Sequence, residues 1–256
     1  MAPLSKVYSR MTRRQPWLWS LLLLQTLFFG QACEPAFQPA ASDLLHSQSG
    51  TFLSEEEKQA CQAARSFQSE DLQNLTDLVS YLNALPRPLQ LHCVIAGLPR
   101  PLRLTAGVSS GSAQPSPGAR DPRIILQVGS LLLGIVPDGP ARGSLEVGAV
   151  KSGDTAARAE FLFPITDVEI QEAAGTGHIR FGTGTSCGLC HTSETAASSE
   201  PVGGSFQSKV IRFNAAERVP VANIRTEAEL CRGQSDDRCL LLRALFQGGI
   251  PMDAEY

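Results

Sequence analysis

The run Cys187-Gly188-Leu189-Cys190-His191 is where this 256-residue chain concentrates its chemistry. Two thiols three positions apart can each form a thioether to one vinyl group of a single haem. An imidazole next in sequence then lies near enough to ligate the iron from one face. Phe181-Gly182-Thr183-Gly184-Thr185-Ser186 leads in and Thr192-Ser193-Glu194 comes after, small and polar residues that let the backbone approach a flat macrocycle. The expectation is one covalent haem c, attached through Cys187 and Cys190, with His191 as the axial iron ligand. For the sixth position the chain offers Met252, the only methionine outside the first 32 residues, and His178, with Lys209 as a weaker donor. None is singled out by its spacing, so His191 is expected to be the only strong protein ligand, with an open or water-occupied distal face.

In its wording the segment resembles the haem-binding segment of c-type cytochromes, over about ten residues. The resemblance implies Cys187 and Cys190 as attachment points, His191 as proximal ligand, and a redox or small-ligand-binding role for the iron. Class I cytochromes c place an amphipathic helix before the motif. Here His178-Ile179-Arg180-Phe181 alternates like a short strand and breaks at Gly182, so the motif is expected on a loop. The arrangement is similar to exported bacterial proteins that combine a β-rich module with one such motif. Two other functions fit the residues: a thiol–disulfide redox protein using the Cys187/Cys190 pair, and a haem-free lipoprotein with a β-rich binding module. Against the first, residues 192–204 mix Ser, Ala, Gly and Pro and make a poor helix to succeed an active-site pair. No second Cys or His pair stands at zinc-ligand spacing, and His46, His92, His178 and His191 lack a hydrolase motif around them.

Haem attachment by this chemistry calls for an exported chain, and the N-terminus reads as one. Lys6, Arg10, Arg13 and Arg14 precede an apolar stretch over 18–29, and Ala32-Cys33 comes next, so residues 1–32 are expected to be a signal peptide. A small residue immediately before a cysteine suits lipoprotein processing, with Cys33 acylated and the protein held at a membrane facing the periplasm or cell exterior. The partner implied is a periplasmic or membrane redox protein. That leader carries four basic residues and no acidic one, so its removal takes the formal charge from −3 to −7 and argues against nucleic acid as a partner. Of seven cysteines, setting aside Cys33, Cys187 and Cys190 leaves Cys61, Cys93, Cys231 and Cys239. An even remainder in an exported protein implies disulfides, and of the three pairings sequence proximity favours Cys61 with Cys93 and Cys231 with Cys239.

Periodicity locates the elements that must hold the motif. Residues 33–53, rich in Pro, Ala, Ser and Gln at their start, read as a tether. Ser54 before three glutamates starts a helix expected to run past Cys61 to Phe67; a second begins at Ser69 or Glu70, with Leu72, Leu75, Leu78, Val79 and Leu82 on one face. Residues 85–91 and 98–104 are near copies, Leu-Pro-Arg-Pro-Leu with an alternating pair after it, and both read as strand leads. Short apolar runs over 123–128, 131–136, 145–150 and 159–165, separated by Gly, Pro and Asp, predict an antiparallel sheet folded as a small sandwich or barrel, with Leu131-Leu132-Leu133 buried on both faces. Helices over 221–231 and 236–246 close the chain, with Ser235 as N-cap and Gly248 past the C-cap. The class is α+β: residues 54–170 supply helices and a β-rich part, and 171–256 the motif and a helical hairpin.

Overall fold

The computed structural model describes residues 52–62, 72–108, 114–150, 155–166, 169–170, 180–181, 184–185, 195–196 and 206–254. It is α+β. The elements in chain order are α1 (Glu55–Ala60), α2 (Leu75–Ala84), α3 (Leu91–Gly97), β1 (Arg103–Gly107), β2 (Arg123–Val128), β3 (Leu131–Ile135), β4 (Ser144–Val150), β5 (Thr155–Leu162), β6 (Arg180–Phe181), β7 (Gly184–Thr185), β8 (Thr195–Ala196), β9 (Phe206–Lys209), α4 (Val221–Leu230), α5 (Asp237–Phe246) and β10 (Met252–Asp253).

Eight strands form one sheet in the order β10-β1-β2-β3-β4-β5-β9-β8, antiparallel throughout except where β10 runs parallel to β1. Among the described strands the order is linear, so the expected sandwich or barrel is instead a single open sheet. Its apolar face is covered by helices. The register sets this up: Ile124 faces Ile135, Leu126 faces Leu133, Val147 faces Ala159 and Leu145 faces Phe161, all on one side and all buried. Leu78, Leu82, Val94, Leu241, Leu242 and Leu245 from three helices join the same core. Each such side chain contributes about 1.5–3 kcal/mol by leaving water. The Leu131–Ile135 strand is buried at every position, so both of its faces are covered. β2 turns into β3 through Gly129-Ser130, and Gly129 has φ +57. A Cβ there would also stand 2.9 Å from the Leu72 carbonyl oxygen, so only glycine fits.

The two near copies behave differently from expectation. Only the second leads into a strand, β1. The first closes α2 and opens α3, and Leu89 forms an isolated antiparallel bridge with Ile165, outside the strands of the sheet. What the copies share is an arginine that ends helices. Arg87 donates to the carbonyls of Leu82 (2.8 Å) and Leu85 (2.7 Å) at the end of α2. Arg100 donates to Ile95 O (3.0 Å) at the end of α3, and to Ala244 O (2.8 Å) and Leu245 O (2.6 Å) at the end of α5. Carbonyls in the last turn of a helix lack the i+4 donor of the interior; those of Leu82, Ile95 and Ala244 accept only a long bond, 3.3–3.4 Å, from the cap residue's N–H, and a guanidinium adds a second donor and suits the negative end of the helix dipole. The residues after each copy set the next element: Leu91-His92-Cys93-Val94-Ile95, without alternation, coils into a helix, whereas alternating Arg103-Leu104-Thr105-Ala106 extends.

The helix starts are capped. Ser54 and Glu57 form a reciprocal capping box on α1, Asn74 and Asp77 another on α2, and Asp236 accepts from Cys239 N at 3.1 Å on α5. The α5 cap is therefore Asp236, one residue beyond the expected Ser235. α1 ends at Ala60 with Cys61 as its C-cap, earlier than expected, and α2 begins at Leu75, later than expected. At the end of α5, Gly248 takes φ +87 just past the Gln247 cap, as expected of it.

Two disulfides staple the helices, Cys61 to Cys93 (Cα separation 4.7 Å) and Cys231 to Cys239 (5.0 Å). These are the pairs that sequence proximity favours. Their loops restrict the unfolded chain by about 3.7 and about 2.6 kcal/mol respectively on the loop-entropy relation. Residues on both sides of position 170 share one sheet and one core, because β9 and β10 complete the sheet and α5 packs under it; the division at 170 is not a folding boundary. No helix among the described residues is long and apolar enough to cross a membrane.

An acid-labile tie joins the two ends of this unit. Arg243 on α5 donates to both oxygens of Glu57, at 2.5 and 3.1 Å, to Phe52 O at 3.2 Å, and to Gln234 O. Burial would raise the Glu57 carboxyl, but hydrogen bonds from the Ser54 N–H and from Arg243 outweigh it and hold the group below its ordinary value. A carboxylate with a depressed folded pKa contributes stability above its unfolded value and loses it as pH falls through the folded one. Thermal midpoints of the wild type and Glu57→Gln should therefore differ at neutral pH and converge below about pH 4.5. A gap of unchanged size at pH 3 contradicts this.

Candidate functional site

Cys187, Cys190 and His191, with His178 and Cys33, lie outside the described residues. What the structure supplies is their frame. β6 and β7 pair as a hairpin, Arg180 with Thr185 and Phe181 with Gly184, immediately before the motif. After it, β8 pairs with β9, Thr195 with Gln207 and Ala196 with Phe206, and the Gln207 side-chain amide donates to Thr195 Oγ1 at 3.2 Å. In sequence the motif falls between β7 and β8.

The sixth-ligand candidates fall on different parts of this frame. Met252 lies on β10, half exposed, its N–H bonded to Leu102 O at 2.8 Å. β10 and β8 are the opposite edges of the sheet, separated by seven interstrand steps, about 34 Å along the hydrogen-bonding direction. Lys209 is on β9, two residues along from the partner of Thr195, and its carbonyl accepts from Arg158 at 2.9 Å.

All four described cysteines are bonded to one another, so none of them is available to Cys187 or Cys190. α5 packs on α3, and its Leu241, Leu242, Ala244, Leu245 and Phe246 are all in the core.

The second face of the sheet carries charge. Arg123 on β2 is ion-paired with Glu146 on β4; Ser144 and Glu160 are hydrogen-bonded beside them, and the buried Gln114 amide donates to Ser144 O (3.1 Å) and Gly134 O (3.4 Å). Burial raises the Glu146 carboxyl above its ordinary value, with Arg123 opposing and Glu160 adding to the shift. Such a face does not come from the apolar alternation that reveals the strands; its polar members occupy the alternate positions, where a solvated side is the ordinary expectation. The Cys61–Cys93 bridge is the pairing that sequence proximity favours, but the turn of the His92 imidazole toward its sulfurs comes only from the fold. The adjacency of His92 and Cys93 is its only linear sign.

Comparison of the chain with protein-family models, with curated proteins and with solved structures finds no match.

Proposed function

We propose that this chain is an exported monohaem c-type protein whose iron carries electrons or binds a small ligand. The observation that carries the reading is the Cys187-Gly188-Leu189-Cys190-His191 run, which supplies two thioether positions and an axial imidazole in five residues. The disulfides support it in two ways. They belong to an oxidising compartment, where haem attachment of this kind also takes place, and they engage the other cysteines of the folded unit, leaving the motif to its own chemistry. In this reading residues 1–32 direct export, Cys33 carries the lipid that holds the protein at a membrane, and the electron partner is a periplasmic or membrane protein. One haem c, when bound, supplies the redox chemistry. The chain holds it through Cys187 and Cys190, ligates it through His191, and leaves the opposite face open.

The sheet order supports the open face, because it sets Met252 on the edge remote from β8. Chain co-produced with a haem-attachment system should keep its haem through denaturing electrophoresis, and Met252→Ala should leave the oxidised absorption and paramagnetic resonance spectra unchanged. A colourless band overturns the haem assignment. A methionine-to-iron charge-transfer band that vanishes in Met252→Ala overturns the open face and identifies a six-coordinate electron carrier.

A further inference from the structure

The capped end of α1 and the first turn of α3 bring three metal-binding atoms together at a place the haem reading does not use. Cys61 is the C-cap of α1, while His92 and Cys93 are consecutive on α3. His92 Nε2 stands 3.6 Å from Cys93 Sγ, and the donor atoms of all three residues lie within 4.8 Å of one another. A tetrahedral ion with bonds of about 2.3 Å to sulfur and 2.05 Å to nitrogen sets N and S about 3.6 Å apart, which the His92–Cys93 spacing already meets. The group sits between two cavities. One, of about 170 Å³, is lined by Cys61, Cys93, Pro86 and Gln90; the other, of about 160 Å³, by Gln90, His92, Arg142 and Asp237.

We propose that Cys61, Cys93 and His92 form a redox-gated site for a d¹⁰ cation such as Zn(II), closed as a disulfide and opened by a dithiol reductant. In the opening step the reductant gives two electrons and two protons to the S–S bond, which breaks to two thiols, and is itself oxidised to a disulfide. The cation then displaces both thiol protons and binds two thiolates and the imidazole, leaving the fourth position for water from the adjoining cavities. A disulfide with a purely structural role requires neither a nitrogen donor at ligand distance nor space beside the sulfurs.

The full chain, reduced with a phosphine and freed of it without air, should be alkylated with and without Zn(II), and each cysteine followed by peptide mapping. The expected result is that Zn(II) slows alkylation of Cys61 and Cys93 at least tenfold relative to the same protein without metal. His92→Gln, which keeps the side chain's bulk, should lose that protection with an unchanged circular dichroism spectrum, and Cys61→Ser should expose Cys93 equally. Cys231 and Cys239 in the same digest give the rate at an ordinary reduced pair. Equal alkylation with and without Zn(II), full protection in His92→Gln, or a Cys61–Cys93 bridge that opens only when the protein unfolds would each overturn the proposal.

Discussion

A chain carrying Cys187→Ser and Cys190→Ser together, produced alongside a haem-attachment system, should emerge with no covalent haem. Each single substitution should keep the haem through one remaining thioether. The contrast comes from bond counting: each cysteine can hold one vinyl carbon, so losing one halves the attachment and losing both abolishes it. Rescue by another thiol is not expected, because Cys61, Cys93, Cys231 and Cys239 are engaged in bridges of the folded unit. His191→Ala separates attachment from ligation. The haem should stay on both thioethers while the absorption spectrum changes, because the iron loses its only strong protein ligand. Covalent haem in the double serine variant would place the attachment elsewhere.

Replacing Arg243 by methionine should destabilise the protein by about 3–5 kcal/mol, the usual consequence of removing one partner of a buried ion pair. The Arg243 side chain is 4 % exposed and that of Glu57 16 %, so both charges are largely withdrawn from water. Without the guanidinium, Glu57 keeps its capping bonds at Ser54 but loses two donors, and the carbonyls of Phe52 and Gln234 lose theirs. At about 2–4 °C per kcal/mol for a chain of this size, the thermal midpoint should drop by roughly 10 °C. Adding Glu57→Met should recover part of the loss, since no unpaired carboxylate then remains. A drop equivalent to less than 1 kcal/mol would mean that water reaches Glu57 in the folded state.

The strands are legible in the sequence because alternation of Ile124, Leu126 and Val128 against Gln127 and Arg123 is a local signal with a two-residue period. Whether they close into a barrel is not, because closure depends on how β10 and β9 find their neighbours, β10 across more than a hundred residues. α3 is hidden for a different reason. Its residues come after a proline-rich near copy of the segment that leads into β1, and the copied part acts as a helix terminator through Arg87 and Arg100, leaving the next element undetermined. The proposed haem-attachment run is contiguous, from Cys187 to His191, so its chemistry can be posed from the sequence alone; it lies outside the described residues. Of the Cys61, His92 and Cys93 group, the Cys61–Cys93 pairing is legible by proximity, whereas the seating of the imidazole beside the bridge comes only from the fold.

Intact mass of the exported protein, denatured but not reduced, reads covalent haem directly. The expected result is a polypeptide heavier by one haem, with two disulfides intact and Cys187 and Cys190 closed to alkylation. A polypeptide of unmodified mass, produced where haem attachment operates, with Cys187 and Cys190 free or joined to each other, would contradict it.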